Sequence, residues 1–373
     1  MQATVRPLGR GSRRRLLNPR SGLLRLAWFA AGAPVADVAA QDTTRVRDST
    51  SAQRLPGLTV EAVRQRAIAP PVTMIRVDSA RLRRTQASDA WDLIRRTAGV
   101  EVHQQGQGPG FAADAVIRGF TSDHSSDVLL LIDGVPINLP LHGHVEGYSD
   151  WNILFPGAAR SLRVIHGPAS PLYGNFAYGG VVEVETPWGT GESSGSLQAS
   201  SFGDLGGWLL TGSRRENRGW MLGGRLERSD GWRQNSGYLL GNGIARGRTS
   251  LGSAWLEGGV LLYATAWDSP GFVSVADFNA GRLRGAGDLS DGGNAARGVA
   301  HTRYTRVLGE HVGLSVMGWA QALRSRVFLN IPEGDDPLEQ TDELDRRVTL
   351  GSEVQFCCAQ VGSVPRLPYR CCT

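Results

Sequence analysis

The 373-residue chain has no lysine, and all 40 of its basic residues are arginine. A phosphate cradle needs a lysine and a helix after its spaced glycines. Gly106, Gly108 and Gly110 are followed by neither, so a nucleotide site is excluded. Cysteine is confined to residues 357–373, as Cys357-Cys358 and Cys371-Cys372. Vicinal pairs lack the C-x₂-C spacing of a zinc site, and no pair can staple the rest of the chain. Beyond residue 40 no apolar run reaches the roughly 18 residues of a membrane-spanning helix. No His-Glu-x-x-His run is present; no catalytic residues, no metal and no cofactor are expected, and an enzyme is not the reading.

What is abundant is glycine, with 49 residues, about twice the ordinary share. An apolar content of 41 % rules out a wholly disordered chain. The formal net charge of +5 is unevenly placed. Residues 1–40 hold seven arginines against Asp37 alone, a net +6, which leaves −1 for the remainder. That distribution gives no support for a nucleic-acid partner. The basic stretch Arg6 to Arg25, the apolar run Leu26–Ala36 and the small residues Val38-Ala39-Ala40 form the three parts of a secretory signal, with cleavage expected near Ala40/Gln41. Ser12-Arg13-Arg14-Arg15-Leu16-Leu17 is similar to a twin-arginine signal, although an ordinary arginine-rich start is the favoured reading.

Residues 41–56 read as a flexible leader. Residues 57–187 read as an α+β domain. Strands are expected at Met74–Val77, Val100–Val102, Ala115–Ile117, Val128–Ile132, Leu162–Ile165 and Val181–Glu185, and a helix capped by Ser88-Asp89 and stopped by Gly99. Val128–Ile132 is apolar throughout, which predicts burial of both faces. From 195 to 356 the pattern changes to about eight segments of period-two alternation. Leu222, Gly224 and Leu226 oppose Gly223, Arg225 and Glu227; Leu256, Val260 and Leu262 oppose Glu257 and Gly259. One apolar face and one small-polar face fit antiparallel transmembrane β-strands of a partial outer-membrane barrel. Short connections (214–218, 247–250, 308–311) alternate with longer ones (229–237, 268–297, 330–345), as periplasmic turns and external loops do. Trp208, Trp220, Trp232, Trp255, Trp267 and Trp319 fall near strand ends, where they form either an interfacial girdle or core packing.

Five phrases in order resemble the plug domain of TonB-dependent outer-membrane receptors: Asp92–Val100, Ile117-Arg118-Gly119-Phe120, Leu131–Pro136, Val164–Gly174 and Gly179-Gly180-Val181-Val182. The segment Leu55–Ala62 before them is similar to a TonB box, whose core Leu58, Thr59, Val60, Glu61 and Ala62 would add as an edge strand to a partner's sheet. The resemblance implies TonB and its inner-membrane proton-driven complex as partners, outer-membrane lipid around the wall, and an extracellular metal-chelate ligand. The implied activity is uptake of a scarce nutrient, a ferric siderophore or cobalamin-like chelate. A structural or adhesive surface β-protein, or a nonfunctional remnant, is the alternative reading.

The resemblance also implies plug charges paired with the barrel wall. Arg118 matches such a lock position, within a motif set of Arg118, Gly119, Asp133, Gly134, Gly167 and Pro168; Asp133-Gly134 reads as a tight turn. The family's usual acids before the last plug strands are here Arg160 and Arg163, and its arginine is His166, which puts the usual ion pairing in doubt. Ligand-facing residues are expected in the apical plug loops: His103, Gln105, His142, His144 and Tyr148. His142-Gly143-His144-Val145-Glu146 offers nitrogen and carboxylate donors, or merely a solvated loop. A family barrel has about 22 strands around its plug, whereas about eight strands cannot enclose one. The expectation is a truncated chain, with a frameshift near residue 356 and an aberrant tail over 357–373.

Overall fold

A computed structural model describes residues 73–358 apart from 86, 105–107, 309–311 and 331–339. The signal segment, Leu58–Ala62, Gln105 and the second cysteine pair lie outside the described residues.

Residues 73–187 form a small mixed domain. Its strands are β1 (Met74–Val77), β2 (Val100–His103), β3 (Asp114–Ile117), β4 (Val128–Ile132), β5 (Val135–Pro136), β6 (Ser161–His166) and β7 (Gly180–Glu185). Five of them make one sheet in the order β1-β6-β7-β4-β5, with β4 and β7 parallel; β2 and β3 form a separate hairpin. Helix α1 (Ser79–Arg84) is capped by the Asp78 carboxylate, which accepts from Arg81 N at 2.8 Å. The helix expected after Ser88-Asp89 shrinks to the single turn α2 (Asp92–Arg95). Asp89 does bond Asp92 N at 2.8 Å, and Gly99 ends the segment at φ 73°. The turn still buries Ala90, Leu93 and Ile94.

Strand β4 explains why an all-apolar run was needed. Val128, Leu130 and Ile132 enter the main core, while Leu129 packs with Ile165, Ala177 and Val181 on the other face. Trp91 and Trp151 stack at 4.7 Å in the main core.

The rest of the described chain is one antiparallel meander: β8 (Ser194–Ala199), β9 (Leu205–Arg214), β10 (Arg218–Ser229), β11 (Tyr238–Leu251), β12 (Ala254–Asp268), β13 (Gly292–Val307), β14 (Val312–Asn330) and β15 (Gln340–Cys358). Each strand pairs with its sequence neighbours. Several boundaries differ from expectation, among them the start of β15 at Gln340, inside the connection expected over 330–345. Residues 247–250 continue β11, and the turn comes at Gly252, whose φ is 63°. Strand β13 begins at Gly292, not near 298, and β15 runs two residues past Phe356, Cys358 pairing with Val312. The long connection between β12 and β13 contains the short helix α3 (Val275–Asn279), capped by Ser274.

Alternation sorts the two faces of this wall. Leu222, Leu226, Leu262, Val348, Leu350 and Phe356 are exposed on the outer face. Met221, Leu240, Ile244, Leu261, Tyr263 and Met317 are buried on the inner face, continuous with the core of the small domain. The tryptophans divide by the same parity. Trp220 faces out and Trp232 is exposed in a loop, while Trp208, Trp255, Trp267 and Trp319 lie on the inner face. Trp267 is buried in an edge contact with Phe111 at 6.2 Å, and Trp208 packs on Phe155 at 6.2 Å. For Trp208, Trp267 and Trp319, packing on the shared core replaces the interfacial girdle.

Candidate functional site

The inner face of the wall holds the small domain mainly by grasping backbone carbonyls. The best-built grip surrounds Asp133. Strands β4 and β5 pair Ile132 with Val135, so Asp133-Gly134 is a two-residue turn; its φ values of 54° and 86° are those of a type I′ hairpin. Asparagine, aspartate and glycine tolerate that backbone best. The turn aims the Asp133 carboxylate at Thr186, which donates from N at 2.8 Å and from Oγ1 at 2.7 Å. From the wall, Arg246 of β11 donates Nη1 to the same carboxylate at 2.5 Å and also bonds the Thr186 carbonyl. Arg303 of β13 donates to the Asp133 carbonyl at 3.0 Å. Glu257 of β12 lies between the two arginines, 3.7 Å from Arg246 and 3.3 Å from Arg303. The Asp133 and Arg246 side chains are both buried, so the Asp133 charge is compensated by Arg246, and Arg246 in turn by Asp133 and the more distant Glu257. Gly134 is favoured by its φ of 86°, and a Cβ there would also press on the flexible end of Arg303, 2.2 Å from Nη2.

The other grips repeat this chemistry. Arg225 donates to the Ser88 carbonyl at 2.8 Å, Asn242 to Asn152 O at 2.7 Å and Gln321 to Pro136 O at 2.6 Å. Tyr263 bonds Pro109 O, Arg297 bonds Ile137 O and Arg347 bonds Leu141 O. Arg297 is anchored sideways by Gln321 at 2.6 Å.

The second feature lies toward the long-loop end of the wall. His142 stacks on Tyr148 at 3.9 Å and lies 5.5 Å from His144, which stacks on His124 at 5.3 Å. Phe111 closes the group, 5.3 Å from His144 and 6.0 Å from His124. From β15, Glu343 approaches His144 at 3.4 Å and Asp345 approaches His142 at 3.8 Å. Burial pulls the His142 imidazole down to about 3, with the neighbouring His144 and Arg347 adding to it, so this ring is neutral across the physiological range. Burial also lowers His144, against the pull of Glu343. The Tyr148 hydroxyl, fully enclosed, is pushed well above its usual range and accepts from Ala112 N at 2.9 Å. Asp150, at the end of the same loop, is raised by burial to about 6, against hydrogen bonds from Asn152 and the charge of Arg297.

A cavity of ≈ 590 Å³ opens between the small domain and the long-loop ends of β8–β12. Asp89, Phe111, Phe202, Arg225, Trp232 and Tyr238 are among its lining residues. Phe111 is common to the cavity and the imidazole cluster.

The expected site residues distribute as follows. His142, His144 and Tyr148 come together, and His103 does not: it is exposed on β2 beside Glu101 at 3.4 Å. Arg118 is exposed at φ 52°, with its side chain against Gly99 in the same domain, and it joins none of the described wall contacts. Of the same motif set, Asp133, one strand later, is the charge that meets the wall among the described residues. Gly119 and Gly167 have φ of 79° and 75° in open surroundings and shape turns; Pro168 is exposed. Arg163 pairs with Glu183 inside the small domain, and His166 is buried beside Arg118. Sequence reasoning missed His124, Arg246, Arg297 and Arg303. Charges at inward parity in alternating strands were a signal for the arginines; His124 sits in a polar turn and gave none.

Residues 64–181 match the family model for the TonB-dependent Receptor Plug Domain. These residues form a plug domain of TonB-dependent receptors, and the antiparallel strands after them have the fold of such receptors' barrel walls. Among curated proteins, the chain is similar to the vitamin B12 transporter BtuB of Vibrio vulnificus (strain CMCP6), 37 % identical over 110 residues, which are 30 % of this chain and 17 % of that protein. Among solved structures it is similar to the ferric citrate transporter FecA in its unliganded form, with a TM-score of 0.65, 19 % identity, and coverage of 78 % of this chain and 45 % of that one. The ferric yersiniabactin uptake receptor FyuA of Yersinia pestis gives 0.63 and 15 %, covering 78 % and 46 %. The chain thus spans less than half the length of these relatives.

Proposed function

We propose that this chain is the plug and leading wall of a TonB-dependent outer-membrane importer for a scarce metal chelate, a ferric siderophore or a cobalamin-like compound. In this reading the exported chain loses its signal near Ala40, and Leu58–Ala62 engages TonB and its proton-driven inner-membrane complex. The chelate is received at the long-loop side, near Phe111, His142, His144 and Tyr148. Binding and conformational work do this job without covalent catalysis.

The observation that carries the reading is the attachment of the plug. Its core is shared with the wall, yet its polar contacts are hydrogen bonds to plug carbonyls, one buried ion network and the approach of Glu343 and Asp345 to the imidazoles, all of which can break and re-form. An apolar outer face fits the same reading, because lipid requires it of a spanning strand. The test is recruitment of a purified periplasmic TonB domain by the full chain in detergent micelles, with cyanocobalamin and ferric citrate as separate probes. Capture that is strengthened by a probe and lost in Leu58→Pro is the expected result, since proline interrupts edge-strand pairing. Capture equal in wild type and Leu58→Pro would overturn the assignment of the box.

A further inference from the structure

We infer that Asp114, Asp123 and His124 form a binding site for one divalent first-row transition-metal ion in the plug, facing the long-loop end of the wall. The inference is independent of the transport reading. One donor atom from each residue lies within 4.8 Å of the other two. Metal–nitrogen and metal–oxygen bonds of about 2.0–2.2 Å would draw such a set around one ion with small side-chain rotations. One imidazole with two carboxylates suits zinc, cobalt or ferrous iron better than an all-oxygen calcium site.

The imidazole supplies the second, independent observation. His124 is only 6 % exposed, and neither ring nitrogen has a hydrogen-bond partner. Its Nδ1 nevertheless lies 2.7 Å from Asp123 Oδ1, so the ring is aimed at the carboxylates without forming an aligned bond. A buried polar ring left this way is costly, and coordination would satisfy it. The ring is also held in place. Asp114 Oδ1 accepts from His124 N at 2.8 Å, and the Ser125 hydroxyl bridges β3 by donating to Ala113 O at 2.7 Å and accepting from Ala115 N at 2.8 Å. The parallel His144 ring at 5.3 Å fixes the far face. Asp123 remains largely exposed, which gives an ion a path in.

The experiment titrates Co²⁺ alone into the full chain in detergent micelles, with thiols alkylated so that the cysteines cannot compete. The expected result is one saturable equivalent with visible ligand-field bands, weakened about tenfold or more in both Asp123→Asn and His124→Gln. Asp123→Asn changes an exposed side chain, so it keeps the test meaningful even where His124→Gln disturbs folding. Absence of saturable binding, unchanged affinity in Asp123→Asn, or loss confined to His142→Gln and His144→Gln would overturn the site.

Discussion

At the residue scale, Asp133 and Arg118 make opposite predictions. Asp133 answers one buried arginine and holds Thr186, so Asp133→Ala leaves Arg246 only the more distant Glu257, shared with Arg303, and is expected to destabilise the docked plug by about 3 kcal/mol. Asp133→Asn keeps the left-handed turn and an acceptor, and should cost less. Arg118→Ala, at an exposed position with no wall partner among the described residues, should stay within about 0.5 kcal/mol. Urea unfolding of the three variants in lipid vesicles checks all of them. Arg118 stood out in the sequence because it lies in a plug phrase. Asp133 was legible as a turn residue within the same motif set, but its partners were not, because they come from strands more than 100 positions away. The carbonyl grips were not legible at all, since every residue has a carbonyl and only the fold decides which ones a wall donor reaches.

Asp150 gives the pH dependence at the same scale. Its folded pKa of about 6 lies above the usual 3.8, so between those values the folded state binds more protons than the unfolded state. Stability contributed by this group is therefore fully present below about pH 4 and is lost as pH rises through 6, by at most about 3 kcal/mol. Asp150→Asn should flatten that part of the melting-temperature profile between pH 4 and 7. A profile of the same slope in the variant would place the titration elsewhere.

At the element scale, periodicity was the reliable guide. The continuous run in β4 and the alternation in β10 and β12 gave strand, face and burial together. It failed where composition and parity disagreed. Gly247–Ser250 looks like a turn because it is small and polar, yet it continues β11, where Arg248 faces inward and lies 4.0 Å above Trp255. The same parity puts Trp319 inside, opposite Gly351 in the ladder. A Cβ on Gly351 would come 2.2 Å from that indole, so Gly351→Val should disrupt the β14–β15 pairing. Faster amide exchange over 340–358 than in wild type is the expected readout, and unchanged exchange would contradict it. In β4, Leu130→Ala should cost about 2–5 kcal/mol, because the leucine is fully enclosed.

At the scale of the whole molecule, the fold is a plug seated on the inner face of an eight-stranded wall, with polar grips spread from the short-turn end to the long-loop end. The Asp133 network lies toward the short turns, where Glu257 and Arg303 each stand close to a strand end. The imidazole cluster lies toward the long loops, beside Glu343. A plug held this way has its buried Asp133–Arg246 pair on the side away from the cavity. The order plug-then-wall and the identity of the outer face could be read from the sequence. The seating could not, because it depends on which inward charges meet which plug carbonyls.

The central claim is that Asp133 and Arg246 couple the plug to the wall. A double-mutant cycle with Asp133→Asn, Arg246→Met and the pair, read by urea unfolding of the full chain in lipid vesicles, tests it directly. The account predicts a coupling energy of about 1.5 kcal/mol or more, with the double variant less damaged than the two single losses summed. Additivity within about 0.5 kcal/mol would contradict it.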